Sequence, residues 1–144
     1  LEEHRDELSD IGLMSIEHGQ QTTGADMSRA IYEVDRLGRR MEEFFDNFDL
    51  LLTPTMAVPA FPIDQRPGVI GGKTVDPFWG FLPFTYPINI SGQTAASIPC
   101  GYSSDGMPIG LHIIGPKGSE AKVLQACAAF EAANPWAGDR PGVS

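Results

Sequence analysis

The sequence predicts an α/β protein whose sheet is incomplete as a domain. Three observations lead there. Two amphipathic helical stretches precede a short apolar strand, and a hairpin and a further helix close the chain. The strands so identified number only three, too few to bury two layers by themselves. At 144 residues, the chain is long enough for one core and short of two ordinary domains. Residues 1–144 are therefore read as one portion of a single domain.

Taken in order, residues 7–19 form the first helix. Leu8, Ile11, Met14 and Ile16 are set against Asp6, Glu7 and Asp10, and the helix stops near Gly19. The second helix spans 24–47. Thr23, with Asp26 three residues on, resembles a capping box with Asp in place of Glu. Behind it Met27, Ile31, Val34, Met41, Phe45 and Phe48 recur at helical spacing, a stripe expected to be core rather than a cofactor box. The apolar run near 49–54 reads as a buried strand ended by Pro54.

Residues 54–94 read as a long loop, broken repeatedly by proline yet rich in Phe, Trp and Leu. Loops of this length in compact domains usually line or cover something. A hairpin follows over 95–115, turning at Asp105-Gly106, with Pro99 and Pro108 limiting its ladder. Ser119 is expected to cap a last helix, 119–133, that buries Val123, Leu124, Cys127 and Phe130.

Composition removes several functions. The formal net charge is −9 and only ten residues are Lys or Arg, which excludes a phosphate-binding surface for nucleic acid. No apolar run approaches the roughly 20 residues of a membrane span. Cys100 and Cys127 make no disulfide framework and read as small buried side chains in a reducing, cytoplasmic compartment. The chain begins at Leu1, without an initiator methionine, which is expected of a processed protein or of part of a longer one.

The reactive residues form no self-sufficient set. Ser91 and Ser97 lie near glycines, but neither sits in G-x-S-x-G and no S-x-x-K follows. His4 and His18 lack ligand spacing, and His112 reads as a partly exposed strand residue. Metal-binding patterns such as H-E-x-x-H and C-x-x-C are missing. In "GVIGGKTV" a phosphate loop would need Gly where Pro67 stands. Nothing in the sequence calls for a cofactor.

The stretches "FDLLLTPTMAVPAFP" and "TYPINISGQTAASIPCGYSSDGMPIGLHIIGPKGSEAKVLQACAAFEAANPW" resemble the C-terminal region of the amidase signature family. The resemblance implies a mixed central sheet flanked by helices. It also implies amide hydrolysis by a Ser-Ser-Lys triad that lies in the N-terminal half of such enzymes. No residue here matches that triad, so the chain alone is expected to be inactive and to supply scaffold and a pocket wall.

The pattern has departures. Thr94 replaces a usual Pro, and His112 stands where Gln is common. Leu82, five residues before Pro87, occupies the place where glutamine-using amidotransferase subunits carry an Asp for the substrate's ammonium. A leucine cannot pair that charge. The implied substrate is thus a small apolar or aromatic amide, bound by Trp79, Leu82 and Phe84. Two other readings stay open: a non-catalytic binding module using the 54–94 loop, and a protein like the amidase subunit of glutamyl-tRNA amidotransferase. Exposed sheet or apolar surface is expected to pair with another copy of the chain.

Overall fold

The computed structural model describes residues 2–139. They fall into two compact units that part between Arg36 and Leu37. A 3-10 helix, Glu2–Glu7, opens the first, followed by α1, Asp10–Gln21, and the start of α2, Gly24–Phe45. The helix expected over 7–19 is replaced by this broken arrangement. The break falls at Ser9, whose hydroxyl accepts the Gly12 N–H at 3.3 Å and starts α1 afresh. The capping box before α2 is complete: Thr23 Oγ1 accepts the Asp26 N–H at 3.2 Å, and an Asp26 carboxylate oxygen accepts the Thr23 N–H at 3.1 Å.

The apolar stripe of α2 is core only in part: Met41 and Phe45 are half-buried, and the rest is exposed. Met27 and Ile31 are 58% and 63% exposed, and Phe48, just beyond the helix, is also exposed. Helical spacing selects which residues share a face; burial needs a second surface against that face.

The second unit holds the sheet. Its elements are β1, Leu51–Pro54, then β2, Val69–Ile70, and β3, Lys73–Thr74, then α3, Tyr86–Ser91. They are followed by β4, Thr94–Tyr102, β5, Pro108–Gly115, and α4, Glu120–Ala133. The main sheet runs β1-β5-β4, and every strand pairing among the described residues is antiparallel. β5 is central, and His112, Ile113, Ile114 and Gly115 are all buried. Register places Thr53, His112 and Ser97 side by side on one face, and Leu52, Ile113 and Ala96 on the other.

α4 packs on β4 and β5. Val123 is 2% exposed, and a Cβ on Gly115 would stand 3.0 Å from its Cγ2. Two expectations for this helix change. Leu124 is exposed, because only the Val123 side of the helix meets the sheet. Ser119 does not cap with its side chain; its hydroxyl donates instead to the Pro116 carbonyl at 2.6 Å.

The buried apolar residues are Ile88, Ile113, Ile114 and Val123, while many large apolar side chains face outward. The outer edges of β1 and β4 have no partner strand among the described residues. This is an α/β core that is partial as a domain.

The 54–94 segment is not a plain loop. Gly71 and Gly72, with φ of 56° and 75°, turn the β2–β3 hairpin in the left-handed conformation such a two-residue turn requires. In the main hairpin, Gly106 takes φ 84° and donates its N–H to the Ser103 carbonyl at 2.9 Å. The register slips between Pro99 and Gly101. Cys100 is the extra residue of that bulge and is exposed, not buried as the composition suggested. Cys127 is half-buried, and both thiols are free.

Candidate functional site

Pro54 ends β1 and sends the chain through 55–61 across the end of the sheet. Two contacts hold this stretch against the segment that leads into α3. The Ala57 N–H donates to the Phe81 carbonyl at 3.2 Å, and the Phe61 and Phe81 rings meet edge to face at 5.2 Å. Between them, and against the start of β5 at Pro108–Gly110, lies an open hollow of about 770 Å³. Met56, Val58, Phe61, Ile70, Phe81 and Phe84 supply most of its side chains, and every lining residue is apolar, Pro or Gly. Such a wall accepts a hydrocarbon or aromatic group and offers nothing to pair a charge.

The three residues singled out from the sequence sit at different places. Phe84 lines the hollow. Leu82 is half-buried outside the lining, and its carbonyl accepts the Thr85 N–H at 3.2 Å in the turn before α3. Trp79 is 51% exposed. Its backbone is fixed by Asp76, whose carboxylate accepts the Phe78 and Trp79 N–H groups at 2.7 and 2.9 Å. Gly80 must be glycine here, since a Cβ would lie 2.5 Å from Val75 Cβ. Phe61, Phe81 and the Met56–Val58 stretch were missed as site residues. The signal for them was the apolar stretches "MAVPAFP" after the strand and "FLPF" before α3.

The candidate nucleophiles are engaged in packing. Ser91 is buried on α3 and donates to the Ile88 carbonyl at 3.1 Å. Ser97 Oγ and Thr55 Oγ1 share a hydrogen bond of 2.7 Å. Lys117 pairs with Glu42 at 3.6 Å and Lys122 with Asp49 at 2.7 Å.

His112 corrects another expectation. It is 6% exposed rather than partly open, because β5 is covered on both faces. Its Nδ1 finds no partner among the described residues. Burial holds its pKa below the ordinary 6.5, against a smaller opposing influence of the nearby Phe84 backbone.

The family model for amidases, described as "Amidase", matches residues 2–124. The chain belongs to the amidase family. An acylamidase of Rhodococcus erythropolis is 32% identical over 144 residues, covering 99% of this chain and 30% of that protein. The A-type subunit of the glutamyl-tRNA(Gln) amidotransferase of Thermodesulfovibrio yellowstonii is 41% identical over 97 residues, covering 66% of this chain and 19% of its own length. A bacterial aryl acylamidase of the amidase signature family superposes with a TM-score of 0.83 at 33% identity, over 96% of this chain and 30% of that one. This member thus spans about a third or less of the length of these amidase relatives, which agrees with its partial sheet.

Proposed function

We propose that this chain is part of an amidase that hydrolyses apolar or aromatic amides, and that its 54–61, 81–84 and 108–110 segments wall the substrate pocket. The observation that carries this reading is the hollow at the end of the sheet, lined without a single charged side chain. Burying an ammonium group there would leave it unpaired, which disfavours glutamine as substrate. Phe84 contacts the apolar group directly, and Leu82 and Trp79 extend that wall from the adjoining turn. The Ser-Ser-Lys triad belongs to sequence outside residues 1–144, so this chain by itself is inactive. The free thiols of Cys100 and Cys127 fit a reducing, cytoplasmic setting.

The test is a substrate series on the complete enzyme, comparing kcat/KM for aryl, alkyl and short polar amides with that for glutamine. The reading expects kcat/KM to climb with apolar area, roughly tenfold for each 1.4 kcal/mol of transition-state binding. Efficient ammonia release from glutamine, with poor turnover of aryl amides, would sink it. Amide turnover by residues 1–144 alone would contradict the placement of the triad.

A further inference from the structure

We infer that Ile70 is a specificity-determining residue of the amide pocket: standing at the tip of the β2–β3 hairpin, it closes one side of the apolar hollow and sets how large a group the hollow accepts. This rests on the amide-pocket reading above and adds to it an element outside the 54–61, 81–84 and 108–110 segments.

Those three segments are tied to one another. The Thr55 N–H donates to the Gly110 carbonyl at 2.9 Å, the Ala57 N–H donates to the Phe81 carbonyl at 3.2 Å, and the Phe61 and Phe81 rings meet at 5.2 Å. The hairpin stands apart from that frame. β2 and β3 form their own two-stranded sheet, with Val69 opposite Thr74 and Ile70 opposite Lys73. Its base is braced instead by the turn that follows. The Val75 N–H donates to the Gly68 carbonyl at 2.9 Å, and the Val75 side chain fills the space that a Cβ on Gly80 would need.

From that base the ribbon brings Ile70 to the hollow. Its neighbour Val69 is 62% exposed on the opposite face, as strand alternation requires. Gly71 and Gly72, which turn the chain directly after Ile70, carry no side chains. Anchoring the ribbon would by itself account for an apolar residue here, since so short a hairpin is marginal in water. An anchor, however, is covered by the groups it packs against. Ile70 is only half-buried, and it borders open space shared with Met56, Phe61 and Phe84. A group entering the hollow covers the rest of it and gains burial. The β-branched side chain is also stiff, so it sets a firm boundary: fewer carbons there lengthen the hollow, and a ring in their place shortens it.

The experiment uses the complete enzyme and two pairs of amides. One pair carries the variable group on the acyl side (butyramide and naphthamide), the other on the nitrogen side (N-butylacetamide and N-naphthylacetamide). The readout is the ratio of kcat/KM for the naphthyl member to that for the butyl member. Ile70→Ala should raise this ratio roughly tenfold in one of the two pairs, and Ile70→Phe should lower it by a similar factor, the scale on which a few carbons discriminate in an apolar pocket. Ile70→Val removes one methylene from a half-exposed site, a mild change for the fold, and should move the ratio in the direction of Ile70→Ala by roughly two- to threefold. A purely anchoring role predicts instead an equal loss for both members of each pair together with a lower unfolding midpoint. That outcome overturns the inference, as does an unchanged ratio in both pairs for folded Ile70→Ala or Ile70→Val; each leaves the amidase reading intact. Failure of the wild type to hydrolyse any of the amides removes the amidase reading and this inference with it.

Discussion

Gly110 and Thr55 lock the end of the sheet to the wall of the apolar hollow. The Thr55 N–H donates to the Gly110 carbonyl at 2.9 Å, and Thr55 Oγ1 stands 2.6 Å from where a Cβ on residue 110 would be. Ser97 Oγ lies 2.7 Å from that same point. Residue 110 therefore has to be glycine for reasons of space, since its φ is unexceptional.

Gly110→Ala is accordingly expected to destabilise the protein by about 1–3 kcal/mol, the usual cost of overpacking. It should also displace the Thr55–Ser97 hydroxyl pair. Denaturant unfolding measures the first effect. A midpoint equal to wild type would show that the strand end can yield.

Ile114 is fully buried on the central strand. Ile114→Ala should cost about 2–5 kcal/mol through lost burial and the cavity left behind. Leu124→Ala removes a side chain of similar size from the exposed face of α4, and should change stability by no more than about 0.5 kcal/mol. The contrast between the two midpoints is the measurement.

Acid should weaken the fold through His112. Its pKa is lowered in the folded state by burial, so the unfolded chain binds a proton first as pH falls below the ordinary 6.5. Stability from the neutral ring is complete above that value and declines as pH drops from 6.5 toward the lower folded pKa. Unfolding midpoints measured from pH 7.5 to 5 should fall for wild type. The His112→Gln variant should show a flatter profile over the same window.

Thr23 Oγ1 and N–H both donate to the Asp26 carboxylate, at 2.6 and 3.1 Å, and hold its pKa below 3.8. Thr23→Ala should return that pKa toward its ordinary value and fray the start of α2, costing about 1 kcal/mol of helix stability. The depressed carboxylate favours the fold above its unfolded pKa, and that contribution is lost as pH falls through the folded value. An NMR titration of the Asp26 side chain reads the shift directly.

In the complete enzyme, Phe84→Ala is expected to raise KM for an aryl amide more than Trp79→Ala does, because Phe84 borders the hollow and Trp79 is half-exposed beyond it. Steady-state kinetics on both folded variants decides the order. Equal effects would mean that the apolar group binds farther along the wall, toward the 76–80 turn.

Local chemistry was legible in the sequence wherever a few adjacent residues decide the outcome. The Thr23–Asp26 box, the Asp105-Gly106 turn, the strand ended by Pro54 and the long second helix follow from hydrogen bonding and steric limits within a single segment. Gly71-Gly72 carried a comparable hairpin signal, but its flanking strands are only two residues each, too short for an alternation to show. The family was legible too, because its hairpin block is a long and specific pattern.

Burial was decided by the tertiary structure alone. Periodicity placed Met27, Ile31 and Leu124 on apolar faces, yet each is exposed, since a face becomes core only when another element lies against it. His112 went the other way, since its place at the centre of the sheet is set by pairing with Thr53 on β1 and Ser97 on β4. The wall of the apolar hollow is non-local as well. Phe61 and Phe81 meet only because the 54–94 segment folds back on itself. The sequence by itself determined which turns, caps and family pattern the chain carries; which apolar residues meet, and around what space, was decided by contacts that no single segment contains.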